Sequence, residues 1–445
     1  MNMTSNALAR ATACGLAVSA ATAASAGVIV TSTIVKIADT NTLIPNGGGA
    51  TFGFFGMPAI SGQNIAFFGK ATGGVIRPTG IYHNIGALTR VVDNTTPSPF
   101  GAGILNVNSR VDIAGNVVVF TTGTPNRGVF TSDGGTLSVI ANTATANPAG
   151  AGFLTGFDFP TIDTLGVSFQ ALVNTSFFKG VYTTVGGGFS RIFDATMLIP
   201  GGVVPDPNTI TAPAVSGANT VFSTSNTGVS FSCICAQIGG ALGSIISNSD
   251  VAPGTLLDSR PAISGENAAW TQGQTGLAGA ISVNARINGV IGPVALSGQV
   301  APDSGMTMSR FDNVSIDGDT VSFTANNLAG VFGLFVRIAG QIHTVHLNTQ
   351  PLDAKTLQNI QMSQFALDSN NIAFKAEFTD GSQGVFMATI TVRNSPDLNG
   401  DGQINGADIS AVLNVFGSSD PTIDLNNDGV IDGGDISVIL NSWTG

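Results

Sequence analysis

Residues 60–67 read ISGQNIAF: an aliphatic residue, a Ser-Gly turn, and a short run ending on an aromatic seven positions after the start. The phrase returns as IAGNVVVF from Ile113 to Phe120 and in degenerate form from Ile162 to Phe169. It recurs from Val215 to Phe222, Ile263 to Trp270, Ile316 to Phe323 and Leu367 to Phe374. Start-to-start spacings are 53, 49, 53, 48, 53 and 51 residues. Constant internal spacing at a long period marks one supersecondary unit stacked on copies of itself. Ser-Gly and Asp-Gly between β-branched alternating runs are hairpin-turn chemistry.

Each copy continues with a second phrase, such as Gly80-Ile81-Tyr82 or Gly384-Val385-Phe386, and most add a third, such as Leu88-Thr89-Arg90-Val91-Val92-Asp93. Turns around Pro99, Pro148, Pro200, Pro253 and Pro302 close the units. About four short strands in about 50 residues is the size of a propeller blade. The seventh copy lacks its closing strand, and a matching one, Thr33–Asp39, stands alone near the N-terminus. The expected fold is therefore all-β: a seven-bladed β-propeller over residues 27–393, with the N-terminal strand completing the last blade. Closure of that kind removes exposed sheet edges. The recurring Phe or Trp is expected between blades, as core.

Composition agrees and also excludes. Of 445 residues, 58 are Gly and only 10% are charged, as many tight turns would require. With 27 acids against 16 bases, the chain has no basic stripe for a phosphate backbone, so nucleic acid is not expected as a partner. Arg10, an Ala-rich apolar run and Ala24-Ser25-Ala26 read as a secretory signal over residues 1–26, cleaved before Gly27. No later run is long enough for a transmembrane segment. A secreted or cell-surface bacterial monomer is expected.

After Arg393-Asn394-Ser395-Pro396 the composition changes. Residues 397–408 read DLNGDGQINGAD and residues 424–435 read DLNNDGVIDGGD. Both fit a twelve-position calcium loop. Oxygen ligands fall at positions 1, 3 and 5: Asp397, Asn399 and Asp401, then Asp424, Asn426 and Asp428. Gly402 and Gly429 stand at the sharp turn, and Gln403 and Val430 would coordinate through their carbonyls. Asn405 and Asp432 occupy position 9, and Asp408 and Asp435 supply the last ligand. Two Ca2+ ions are expected, with Ile404 and Ile431 at position 8 pairing the loops through a short β-bridge. Each loop leads into a helix, not out of one. Ile409, Val412, Leu413 and Phe416 are spaced i, i+3, i+4, i+7, and Ile436, Ile439, Leu440 and Trp443 repeat that stripe.

Paired loop–helix units of this kind, about 25 residues apart, resemble the type I dockerin. The resemblance covers residues 394–445 and implies a small α-helical calcium-binding domain that docks into a cohesin-like partner or cell-surface scaffold. Best-known dockerins recognise cohesin through hydroxyl residues at loop positions 10 and 11. This chain has Gly406-Ala407 and Gly433-Gly434 there, which departs from the pattern. The preceding repeats resemble uncharacterised extracellular bacterial repeat proteins, a likeness that implies no activity.

No catalytic or cofactor-binding residue stands out. The repeat region has two Glu: Glu266, in a hairpin turn, and Glu377. Asp39, Asp93 and Asp194 recur at one repeat position, which suits a structural role. His343 and His346 lack an evident third ligand. Cys233 and Cys235 would share a strand face, open to a disulfide, a thiol pair or half a metal site, with simple packing as the default. The leading expectation is a non-catalytic propeller on a calcium-dependent connector. The alternative is a polysaccharide-degrading propeller hydrolase or lyase carrying a dockerin.

Overall fold

The computed structural model describes residues 28–73, 77–175, 178–228, 231–247, 249–251, 255–274, 277 and 279–444. The expected signal sequence and cleavage site, and Pro253, lie outside the described residues. Two compact units emerge, one spanning Thr31–Thr391 and the other containing Val392–Gly445.

The larger unit is all-β with a propeller arrangement of antiparallel meanders. Separate sheets cover residues 51–93, 107–142, 154–194 and 214–247. A fifth sheet places the N-terminal strand Val28–Asp39 beside Gln383–Asn394, followed by Asn371–Phe378 and Leu357–Gln361. The N-terminal strand thus joins the last repeat, where the seventh copy lacked a strand. The remaining sheet, over residues 255–347, has eight strands. Five separate blades are therefore found where seven were expected. The reason is a single bridge, Ala280 to Phe311, which ties the fifth and sixth copies into one hydrogen-bonded sheet.

All seven recurring aromatics (Phe67, Phe120, Phe169, Phe222, Trp270, Phe323 and Phe374) are 0% exposed. Most stack on an aromatic of the next strand, as Phe120 does on Phe130 at 5.6 Å and Phe374 on Phe386 at 5.7 Å. Burying rings in offset stacks supplies the largest apolar area these short strands can offer. Asp39, Asp93 and Asp194 are buried at turns. Each accepts a backbone N–H two residues on and pairs with the cation three residues back, Lys36, Arg90 or Arg191. Cys233 and Cys235 form a disulfide inside a core cluster, so simple packing is not their state.

Consecutive copies are clamped by the turn residues themselves. Ser61 Oγ accepts the N–H of Gly115, whose carbonyl accepts from Asn64 Nδ2 at 3.0 Å. Ser216 and Asn219 grip Gly265 in the same way, and Ser264 and Asn267 grip Gly318. Other junctions use the residue just before the phrase. Asp112 Oδ2 accepts from Ile162 N, Thr161 Oγ1 from Val215 N, and Ser315 Oγ from Leu367 N. The last copy then grips the first: Asp368 Oδ2 accepts from Gly62 N at 2.6 Å, and Asn371 Nδ2 donates to Gly62 O at 3.0 Å. Gly62 sits in its turn at φ 62°, a conformation in which a glycine has no Cβ penalty.

Candidate functional site

The calcium-loop candidates are brought together twice, with the same bonds at a 27-residue offset. Asp397 accepts from Asp401 N and Gly402 N, and Asp424 accepts from Asp428 N and Gly429 N. Asp401 accepts from Gln403 N, as Asp428 does from Val430 N. Asn399 and Asn426 each accept the N–H two residues on. The residue expected as last ligand folds back over its loop in both cases. Asp408 accepts from Leu398 N and Asn405 N, and Asp435 from Leu425 N and Asp432 N. Asp408 and Asp435 are 0% exposed. Taking two carboxylates out of water is costly unless they are satisfied, and these backbone donors satisfy them.

Helices α1 (Gly406–Asn414) and α2 (Gly433–Asn441) follow directly. Asn405 and Asp432 are their N-caps, accepting from Ala407 N and Gly434 N in reciprocal capping boxes with Asp408 and Asp435. One carboxylate therefore serves both the loop and the helix start. Hard oxygen donors at positions 1, 3, 5 and 12 fit a calcium ion chemically. Counting only His, Cys, Asp and Glu, no group of three is gathered as a metal cluster among the described residues. Asn399 and Asn426, whose amide oxygens would belong to the donor set, fall outside those residue types.

Two expectations for this module change. Ile404 and Ile431 do not bridge each other. Ile404 bonds to Thr444, just beyond α2, while Ile431 bonds to Gly417 and Ser418, just beyond α1. Each loop is thus tied to the tail of the other unit, an exchange with two-fold pseudo-symmetry. The helical stripe also splits. Val412 and Ile439 are 0% exposed in a core with Leu425 and Ile431, whereas Leu413, Phe416, Leu440 and Trp443 are about half exposed. The i, i+3, i+4, i+7 spacing marks an apolar face but cannot say what covers it.

The larger unit has a cavity of about 720 Å³ that the repeat reading did not find. Phe54, Arg110, Phe159, Arg260, Asp312 and Asn359 come to it from the first strands of six different repeats. All six strands slip register nearby, between Phe52 and Phe54, Val107 and Val111, Asp158 and Thr161, Asp258 and Ala262, Phe311 and Val314, and Leu357 and Asn359. A bulge re-aims side chains, which is how period-two strands turn polar residues toward a shared axis. The floor is the segment 363–365. Ser363 donates to Pro58 O, Gln364 to Pro213 O, and Phe365 O accepts from Ile60 N.

Cations dominate this pocket. Arg110 stacks on Phe159 at 3.6 Å and pairs through Nε with Asp158 at 2.9 Å, while Arg260 lies 5.5 Å from the same ring. Burial and the neighbouring Arg260 lower the proton affinity of Arg110, and Asp158 opposes them. Lys375, only 3% exposed, pairs with Glu377 at 2.7 Å and lies 4.6 Å over Phe54. Asp312 reaches solvent at the wall, yet partial desolvation there pushes its carboxyl above the usual range. It is the one carboxyl in the lining among the described residues, so the lining lacks the facing acid pair of a typical glycosidase. Glu266 is exposed in its turn, as a hairpin position would be.

No family model and no curated protein matches this chain. Among solved structures, a chain from a Saccharomyces cerevisiae assembly of Dbp5 bound to Nup159, Gle1, IP6 and ADP is similar over 81% of this chain and 96% of its own, at 10% identity and a TM-score of 0.35. No helix among the described residues is long and apolar enough to cross a membrane.

Proposed function

We propose that this is an exported protein whose C-terminal module binds two calcium ions and, in the manner of a dockerin, docks a non-catalytic β-propeller onto a cohesin-like partner or cell-surface scaffold. The observation that carries this reading is the duplicated bond set of the two loops, residue for residue at a 27-residue offset. Asp397, Asn399, Asp401 and Asp408 would hold one ion. Asp424, Asn426, Asp428 and Asp435 would hold the other, with the Gln403 and Val430 carbonyls completing each set. Bound calcium would supply the positive charge that lets clustered carboxylates sit together in so small a core.

The docking half of the reading is supported by Leu413 with Phe416 and Leu440 with Trp443, equivalent pairs left about half exposed. Apolar side chains of this size, exposed in matched pairs, suit a partner that can meet either unit. Seven repeat units for the propeller are supported by the clamp. Copies five and six, although in one sheet, are gripped by Ser264 and Asn267 just as copies in separate sheets are.

Calorimetric titration of the calcium-free protein tests the metal half, with two sites per chain expected. Calcium-dependent capture of a partner from the extracellular fraction, lost in Leu413→Asp/Leu440→Asp, tests the docking half. A stoichiometry of zero would overturn the first, and capture indifferent to chelator the second.

A further inference from the structure

We propose that the axial pocket binds a small polyhydroxylated carboxylate, a sugar acid in chemistry. Arg260 and the terminal nitrogens of Arg110 would take the carboxylate, and Asn313, Gln361 and Gln364 would take hydroxyls. This goes beyond the calcium reading and does not depend on it.

Cations are scarce in this chain. The chain has 16 Lys and Arg in 445 residues and is acidic overall, yet three of its cations line one cavity. Two of them, Arg110 and Arg260, share the ring of Phe159 although like charges repel. Arg110 commits only Nε to Asp158, and Arg260 has no acid partner among the described residues. A planar guanidinium with free terminal N–H groups is matched to a carboxylate in a two-point bond.

Backbone geometry at the same place points the same way. Phe159 sits at φ 47°, which a bulky side chain rarely adopts, inside the register slip between Asp158 and Thr161. Strain of this kind persists where surrounding contacts over-determine it, and it clusters at ligand sites. There the ring lies 3.6 Å from the Arg110 guanidinium and 5.5 Å from that of Arg260.

The rest of the lining selects hydroxyls over a bare anion. The side-chain amides of Asn313 and Gln361 have no hydrogen-bond partner among the described residues, and Gln364 Oε1 is buried without one. Amides both donate and accept, as does a hydroxyl, and the unmet buried Gln364 Oε1 favours a ligand that meets it. A cavity of about 720 Å³ is in the range of small-molecule sites.

The test is calorimetry on the full chain, with and without chelator, using galacturonate, gluconate, galactose and inorganic phosphate. Galacturonate or gluconate is expected to bind once per chain, with galactose and phosphate about tenfold weaker or worse. Arg260 is exposed, so Arg260→Gln is expected to leave the melting temperature unchanged while weakening the acid about tenfold. Gln361→Ala is expected to weaken it severalfold and leave the residual phosphate affinity alone. Equal affinity for galactose would overturn the role of the cations. Equal affinity for phosphate would overturn the role of the amides. Absence of heat with either acid, or Arg260→Gln binding like the parent, would overturn the site. Persistence of binding in chelator separates this result from any outcome at the calcium loops.

Discussion

If the last copy closes onto the first through Gly62, removing Asp368 and Asn371 together should cost more than removing the same pair at an internal junction. Asn371 is 8% exposed, and its two bonds run to Gly62 O at 3.0 Å and from Thr389 Oγ1 at 2.8 Å. Losing both amounts to about 1–3 kcal/mol, since Gly62 can recover a water but the Thr389 hydroxyl is poorly placed to do so. Across the junction Asp368 contributes one charge-assisted bond at 2.6 Å in a partly wet turn, beside a local bond from Ser369 Oγ, about 0.5–1 kcal/mol. The double variant Asp368→Ala/Asn371→Ala should therefore lose about 1.5–4 kcal/mol. At about 2.1 cal/mol/K per residue over a unit of this size, the melting temperature falls by about 2–5 °C.

The internal control is Ser216→Ala/Asn219→Ala, where the same bonds join residues 49 and 46 apart in sequence. The closing bonds join residues 306 and 309 apart, so their loss loosens a seam of far greater sequence separation, which the pairing of Val28–Asp39 with Gln383–Asn394 also helps to hold. Scanning calorimetry gives the magnitude, and native-state hydrogen exchange gives the place. Amides of Asn371–Phe378 and Gln383–Asn394 should exchange faster in the closing variant and stay protected in the control. A shift under 1 °C, or a control that costs more than the closing pair, would contradict closure through Gly62.

Chelation should abolish the helical circular-dichroism signal of α1 and α2 while the β signal of residues 31–391 persists. A helical signal unmoved by chelator counts against metal-coupled folding. Asp432→Asn keeps an N-cap of the kind Asn405 provides but removes one of four carboxylates from the second loop, so the affinity of that loop should fall toward that of the first. Unchanged affinity by titration would rule out charge count as the determinant. Burial pushes the Asp112 carboxyl up to about 7, against the lowering effect of the N–H groups of Ile162 and Ile113. Because the folded state then holds its proton longer than the unfolded chain does, the contribution of Asp112 to stability should fall as pH rises from about 4 to about 7 and level off above. Asp112→Thr, copying the neighbouring Thr161, should flatten that slope in denaturant melts at pH 4.5 and 7.5. A parent-minus-variant difference that grows with pH would contradict it.

The sequence by itself determined what is periodic or local. The seven-residue step from Ile60 to Phe67 and its six echoes specified buried aromatics in an all-β repeat, because a strand's inward face is a matter of parity. The order of Asp, Asn and Gly at positions 397–408 and 424–435 specified two like loops, since Asx turns depend on neighbours two to five residues away. Tertiary structure alone decided what depends on curvature and on meetings across the fold. Ser61 and Asn64 are ordinary turn residues until the next copy's Gly115 is laid beside them. Arg110, Phe159 and Arg260 are scattered over 150 residues of sequence and meet only because three strands slip register near one axis. The single bridge from Ala280 to Phe311 decided how many sheets the repeats became, and packing around Val412, Leu425, Ile431 and Ile439 left Leu413 and Trp443 about half exposed. Periodicity fixes which side of an element is apolar. What stands opposite that side depends on contacts distant in sequence.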